Sequence, residues 1–202
     1  MNKNVDNFSH KSKTWDMSSK RVNNAQEIAK LIVKNIKLNS SMEIMDLGAG
    51  TGLLSYFIAP FVKKIAAVDN SPSMLIEFKK RCGEFACETE IIEKDFNSEV
   101  LERKFDGIIS SMTIHHLEDI SSLLSRLYKM LNKDGFMAIA DLDSEDGSFH
   151  SSNRGVFHYG FNRKDLKMLA IEAGFREVRF DLANTINKPN GNFTVFLMTA
   201  IK

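Results

Sequence analysis

Residues 44–54, IMDLGAGTGLL, constrain this chain more than any other stretch. An apolar run closes on Asp46, and Gly48, Gly50 and Gly52 follow at every second position. A second apolar run then continues to Pro60. The pattern predicts a strand over 43–47, a tight turn, and a helix over 52–60. Glycine can turn where other residues clash, and it lets a ligand approach the backbone more closely than a Cβ would allow. The helix that follows offers unpaired N–H groups. These suit a negatively charged or hydrogen-bond-accepting group.

The rest of the chain repeats the strand-to-helix rhythm. IAAVD (65–69), EIIEK (90–94), FDGIIS (105–110) and FMAIADL (136–142) read as strands. Val22, Ala25, Ala29, Ile32 and Ile36 mark one face of a first helix by their steps of three and four. Ser71 and Pro72 open a helix over 72–82, as N-cap and first helical residue. Ile120, Leu123, Leu124, Leu127 and Leu131 form another helical face. Leu166, Leu169, Ala170 and Ala173 form the last, with Gly174 as its stop. Strands spaced by helices imply an α/β fold with a mostly parallel sheet. The segments 176–182 and 193–201 have only a KPNG-containing loop between them, so they are expected to pair antiparallel at one edge.

The bulk properties narrow the function. The 202 residues are enough for one domain, expected over 22–202 behind an N-terminal segment, 1–21. With 27 basic and 26 acidic side chains the net charge is +1, so nothing drives the whole chain toward nucleic acid or an anionic membrane. No apolar run is long enough to span a bilayer. The polar start MNKNVDNFSHKSK lacks the apolar core of a secretory signal. Cys82 and Cys87 have no partner at metal-ligand spacing and read as two reduced thiols. A cytoplasmic location is the expectation.

The ligand of the glycine turn is not a phosphate by its motifs. A dinucleotide fingerprint needs glycine five residues after the first, and Leu53 stands there. No GK[ST] follows, so the turn is not a P-loop either. Asp69 ends the next predicted strand, 21 residues after Gly48. An acid at that place can accept hydrogen bonds from both hydroxyls of a ribose.

In this order and spacing, four segments resemble the class I S-adenosylmethionine-dependent methyltransferases, with the likeness extending over about residues 22–200. They are MDLGAGTG, AVDNSPSML, EKDF and FDGIISSMTIHHLED. The resemblance implies a three-layer Rossmann-like sandwich with a seven-stranded sheet, order 3-2-1-4-5-7-6, strand seven antiparallel. It implies S-adenosylmethionine as cofactor. Asp46, Gly48, Ala49 and Gly50 would face its methionine part, and Asp69 with Asn70 its ribose. Asp95 would accept from the adenine amino group, the Phe96 N–H would meet the ring, and Met74 would pack on its face. Ser110 and Ser111 would sit beside the sulfonium. The stretch ahead of the first helix would fold over the cofactor, with Phe8 and Trp15 closing the site.

Methyl transfer from a sulfonium releases a neutral thioether, so positioning can supply most of the catalysis. A base is required only where the acceptor keeps its proton at neutral pH. His115 and His116 follow the fourth strand, at the rim where the methyl group is expected, and are the candidate bases. Trp15, His158 and Tyr159 are expected to contact substrate. Asp141 and Asp143 are two carboxylates without a third converging ligand, so no metal is expected. The segment after strand four lacks the [ND]PP[YF] pattern of amine- and amide-methylating relatives, and the chain has no Pro-Cys pair. A small-molecule acceptor is the favoured reading, with a protein- or RNA-directed enzyme and a non-catalytic binding module as its rivals.

Overall fold

A computed structural model describes residues 6, 8–99 and 101–202. In chain order the elements are α1 (Ser19–Asn35), β1 (Glu43–Leu47), α2 (Leu53–Ile58), β2 (Lys64–Asp69), α3 (Pro72–Arg81) and β3 (Glu88–Glu93). Then come β4 (Phe105–Ser111), α4 (Ile120–Met130), β5 (Leu131–Leu142), α5 (Arg163–Glu172), β6 (Arg176–Lys188) and β7 (Gly191–Ile201). The seven strands form one sheet in the order β3-β2-β1-β4-β5-β7-β6. The pairings β3/β2, β2/β1, β1/β4 and β4/β5 are parallel, and β7 is antiparallel to both β5 and β6. This is the order the resemblance implied, with the antiparallel pair at one edge.

Pleating sends alternate side chains to opposite faces. Ile44, Ile65 and Ala67 go to the face packed by α1 and α2, together with Phe78 of α3. Met45, Leu47, Ala66 and Val68 go to the face packed by α4 and α5. Both faces are covered over the centre of the sheet, so β1 and β2 are buried along nearly their whole length, whereas the edge strand β3 keeps its glutamates partly exposed.

The helix starts follow their capping residues. Ser71 accepts the Met74 N–H behind Pro72, and Asn162 accepts the N–H groups of Lys164 and Asp165. Gly174 ends the α5 turn at φ +106°.

Three boundaries differ from the sequence expectation by three residues or more. β5 begins at Leu131, not 136, because the polar stretch Asn132–Gly135 is carried within the strand as an irregularity opposite Phe105 and Gly107. That stretch has turn composition, and Asp134 does take a positive φ of 61°. β6 runs on to Lys188, where a two-residue turn joins it to Gly191. It is an edge strand, so polar side chains there remain in water and its apolar signal is weak. α1 begins at Ser19, inside the segment assigned to the N-terminal arm.

Candidate active site

The loop after β1 is shaped by its own backbone. Gly48, Gly50 and Gly52 have φ of +69°, +56° and +87°. A Cβ on Gly48 would stand 2.2 Å from the Thr113 side chain, and one on Gly52 would stand 2.7 Å from the Phe78 ring. A Cβ on Gly50 would meet nothing within 4 Å among the described residues. Two of the glycines therefore serve close packing, whereas Gly50 borders open space. The N–H groups of Gly48 and Ala49 donate to the Val68 carbonyl at 2.8 and 3.1 Å. The Gly50 N–H donates to Asp69 Oδ2 at 2.8 Å, and the Ser71 N–H donates to Oδ1 at 2.8 Å. Asp69 thus ties the glycine loop to the turn after β2.

Carboxylates crowd this loop. Asp46 is buried beneath it and accepts the Ser55 hydroxyl at 2.6 Å. Burial pushes its carboxyl up to about 7, with the Ser55 hydrogen bond opposing and the charge on Asp69 adding. Asp69 is also raised, by burial that outweighs its N–H donors from Ser71, Gly50 and Asn70. Asp6 reaches the start of α3, where the Ser71 hydroxyl donates to it at 2.8 Å and the Ser73 N–H at 3.1 Å. Burial disfavours charge on both carboxyls, so a ligand that brings positive charge would stabilise their ionised forms and an anionic one would not, and the N–H of Gly50 is already satisfied by Asp69.

The remaining predicted cofactor residues spread along the carboxyl ends of the strands. Asn70 is exposed just after β2, and Met74 is buried in the first turn of α3. Asp95 accepts the Asn97 N–H at 2.9 Å, and its own N–H donates to Glu99 at 2.8 Å. The Phe96 ring is buried in the core, and its carbonyl accepts from Arg126 at 2.6 Å. Ser110 is buried and donates to the Leu47 carbonyl at 2.7 Å, locking β4 to the base of the glycine loop. The Ser111 carbonyl accepts the Thr113 hydroxyl at 3.1 Å. Immediately after it, Met112 takes a φ of 56°, a strained conformation for a residue with a side chain.

Three imidazoles meet beyond this bend. His115 is 1% exposed, and its Nδ1 lies 2.7 Å from Asp141 Oδ1 at the end of β5. Burial works against the Asp141 charge. The charge and hydrogen bond of His115, with the N–H groups of Leu142 and His115, nevertheless hold its carboxyl below the usual range. Asp141 is therefore ionised and accepts, and Nδ1 of His115 carries the hydrogen. His116 donates from Nδ1 to the Gly155 carbonyl at 2.6 Å. His150, from the loop between β5 and α5, completes the cluster. Ring centroids are 4.1 Å apart for His115–His116 and 5.0 Å for His115–His150. Burial, with the repulsion that protonation of His115 would add as the next cause, lowers both His116 and His150 to about 4. The Nε2 atoms of His115 and His150 are buried and have no hydrogen-bond partner among the described residues.

The N-terminal segment reaches the same place. Phe8 lies edge-on to both Trp15 and His116, at 5.8 and 5.6 Å. Trp15 in turn lies under the Arg21 guanidinium at 3.9 Å. Asp16 anchors the segment to the glycine loop, accepting the Thr51 hydroxyl at 2.6 Å and pairing with Arg81 at 2.6 Å. Residues 1–5 and 7 of the segment lie outside the described residues.

Two other predicted groups are His158 with Tyr159 and the Asp141–Asp143 pair; the His158 loop ties to the cluster through its backbone, its N–H donating to the His115 carbonyl at 3.2 Å. His158 places Nε2 within 3.0 Å of the Leu117 carbonyl, so it braces one loop against another. Tyr159 is exposed beside Gly147. Asp143 is held by Arg163 and Thr194, away from the partners of Asp141, so the two carboxylates serve different neighbours. Among the described residues no group of three His, Cys, Asp or Glu side chains is arranged to hold a metal ion. Sequence reasoning passed over His150 altogether and weighed Asp141 only as a metal ligand. The order β4-β5 offered a signal for Asp141: these strands pair Ser111 with Ala140, so residues just beyond them must meet.

A family model described as a methyltransferase domain matches residues 20–179. The chain belongs to the class I S-adenosylmethionine-dependent methyltransferases. Among curated proteins it is 28% identical over 180 residues to an uncharacterized methyltransferase of Schizosaccharomyces pombe, covering 81% of this chain and 62% of that one. It is 27% identical over 139 residues to a malonyl-[acyl-carrier protein] O-methyltransferase of Acetivibrio thermocellus, covering 66% and 47%. The chain thus spans between about half and three-fifths of these relatives' length. The fold matches a Haloferax volcanii methyltransferase solved with a methyltransferase activator (TM-score 0.75, 14% identity, 100% and 98% of the two chains). It also matches a Haemonchus contortus phosphoethanolamine N-methyltransferase in complex with S-adenosylmethionine (TM-score 0.66, 18% identity, 88% and 52%). S-adenosylmethionine is the cofactor of this family, and the glycine loop fits it. Gly50 leaves room against the backbone, and the surrounding carboxylates suit a ligand with a sulfonium and an ammonium group. No helix among the described residues is long and apolar enough to cross a membrane.

Proposed function

We propose that this methyltransferase moves the methyl group of S-adenosylmethionine to a small-molecule acceptor. The observation that carries the reading is the open space at Gly50 beside Asp69, where a nucleoside can lie against the backbone. The cofactor supplies an electrophilic methyl group on positive sulfur. Asp69 holds the ribose, exchanging one of its backbone donors for a hydroxyl, with Asn70 beside it. Gly48, Ala49 and Gly50 present their backbone to the methionine part. Asp95 and the Phe96 N–H take the adenine, and Met74 packs against it. Asp46 and Ser110 act from beneath, fixing α2 and β4 against the loop through Ser55 and the Leu47 carbonyl. Ser111 begins the bend that brings His115 and His116 to the acceptor. Phe8 and Trp15 exclude water above it. His158 and Tyr159, on the β5–α5 loop, shape the outer wall of the acceptor site.

A small acceptor is favoured by two features. The net charge is near zero, so the chain as a whole carries no excess positive charge to attract nucleic acid. One curated relative bears the name of a small-molecule enzyme, a ubiquinone biosynthesis O-methyltransferase of Pelagibacter ubique. The test is to incubate the purified chain with methyl-labelled cofactor and an extract split into metabolite, protein and RNA fractions. Label appearing in the metabolite fraction supports the reading. Label confined to protein or RNA contradicts it.

A further inference from the structure

We propose that His115 is the general base for a hydroxyl-bearing acceptor, with Asp141 as the residue that positions it. This deepens the small-molecule reading and rests on it. His115 is buried, yet its Nε2 has no partner among the described residues. Buried polar atoms are nearly always paired, and an orphan at the end of the strands calls for a ligand. Asp141 holds the hydrogen on Nδ1, which leaves the Nε2 lone pair free to accept.

The neighbours single out His115 from His116. Behind His115 stands a carboxylate, ready to stabilise an imidazolium. Behind His116 stands only a carbonyl, and that ring is held neutral down to about pH 4. The groups facing His115 are Asp141, His116 and His150, and Lys188 lies beyond His150 with its ammonium 3.6 Å from the centre of the Phe149 ring. His150 also has an unpartnered buried Nε2. Phe8 and Phe149 pack edge-on against His116 and His150, so aromatic rings border the imidazole cluster. An acceptor bearing a hydroxyl matches the free acceptor nitrogen.

The step balances without any further reactant. The acceptor O–H bond breaks and its proton joins His115 Nε2. The oxygen keeps the electron pair and forms the new bond to the methyl carbon. The carbon–sulfur pair leaves with sulfur as a neutral thioether. The imidazolium, paired with Asp141, then returns its proton to water.

The test uses the full chain labelled with 15N-histidine and bound to S-adenosylhomocysteine, with His115→Gln to assign the resonances. At pH 7.5, His115 should show a protonated Nδ1 and a bare Nε2. Phenol should shift the bare Nε2 resonance by hydrogen bonding to it, and anisole, which lacks the proton, should not. Asp141→Asn should release the tautomer while the affinity for S-adenosylhomocysteine stays within twofold of wild type. A protonated Nε2 in the wild type would overturn the proposal whether or not the variant folds. So would phenol and anisole acting alike, or phenol leaving the resonance unmoved up to its solubility limit. Failure of the wild type to bind S-adenosylhomocysteine would instead bring down the methyltransferase reading beneath it.

Discussion

The ends of β1 and β2 and the ends of β4 and β5 lie side by side but are built in different ways. The first region is backbone and acid: three glycines at positive φ, and the carboxylates of Asp6, Asp46 and Asp69. The second is imidazole and aromatic ring: His115, His116 and His150 with Phe8 and Phe149 around them, and one carboxylate behind. The first suits a cationic ligand of fixed shape, held by the main chain. The second presents neutral nitrogens whose partners depend on what enters. A fixed donor and a variable acceptor explain the difference.

The contrast breaks most visibly at the glycines. Gly48→Ala would drive a Cβ to 2.2 Å from Thr113 in a conformation unfavourable to any side chain. It should cost about 3 kcal/mol of stability, read by urea denaturation, and abolish S-adenosylhomocysteine binding. Gly50→Ala meets open space, so it should cost only about 1 kcal/mol of backbone strain. Its affinity should still fall at least tenfold, because the added methyl stands where the ligand lies. Equal stability losses at the two positions would contradict the assignment of Gly50 to the ligand.

The two regions also oppose each other in pH. Asp46 titrates at about 7 in the fold against 3.8 unfolded, so its contribution to stability is full at low pH and is lost as pH rises toward 7. His116 and His150 titrate at about 4 against 6.5 unfolded, so theirs is full above 6.5 and is lost as pH falls toward 4. Asp46→Asn removes the first contribution alone. Relative to wild type, the variant should gain on the order of 2 kcal/mol between pH 5 and pH 7.5, measured from urea midpoints. An unchanged difference would place the Asp46 carboxyl in its ordinary range.

How much of each region can be read from the sequence follows from how each is assembled. The glycine loop and Asp69 lie on short consecutive stretches, so their spacing carried the signal. The sheet order came from the resemblance, and the antiparallel edge from the short loop between 182 and 193. The histidine cluster draws on Phe8, the 112–116 bend, Asp141 and His150, brought together only by folding. His150 lies in the polar loop SFHSSNRG, where no periodicity marks a buried ring. Asp141 looked like half of a carboxylate pair until the sheet turned it to His115 and gave Asp143 to Arg163. The early end expected for β6 has a related cause, since an edge strand needs little apolar alternation.

The smallest expected effect concerns the arm that covers both regions. Arg81→Ala removes the pair with Asp16 and should lower stability by less than about 1 kcal/mol. Trp15 is the only tryptophan, so its emission reports on the arm directly. The variant should shift that emission to the red, and binding of S-adenosylhomocysteine should reverse part of the shift. Emission identical to wild type would show that Asp16 does not hold the arm in place.

The central claim is that the glycine loop and Asp69 hold the nucleoside of S-adenosylmethionine. Titration calorimetry of the wild type and Asp69→Ala with S-adenosylhomocysteine tests it most directly. The account predicts roughly micromolar binding, weakened in the variant by at least about 1.4 kcal/mol, a factor of ten. Folded wild type that fails to bind at millimolar ligand, or a variant that binds as tightly as wild type, would contradict it.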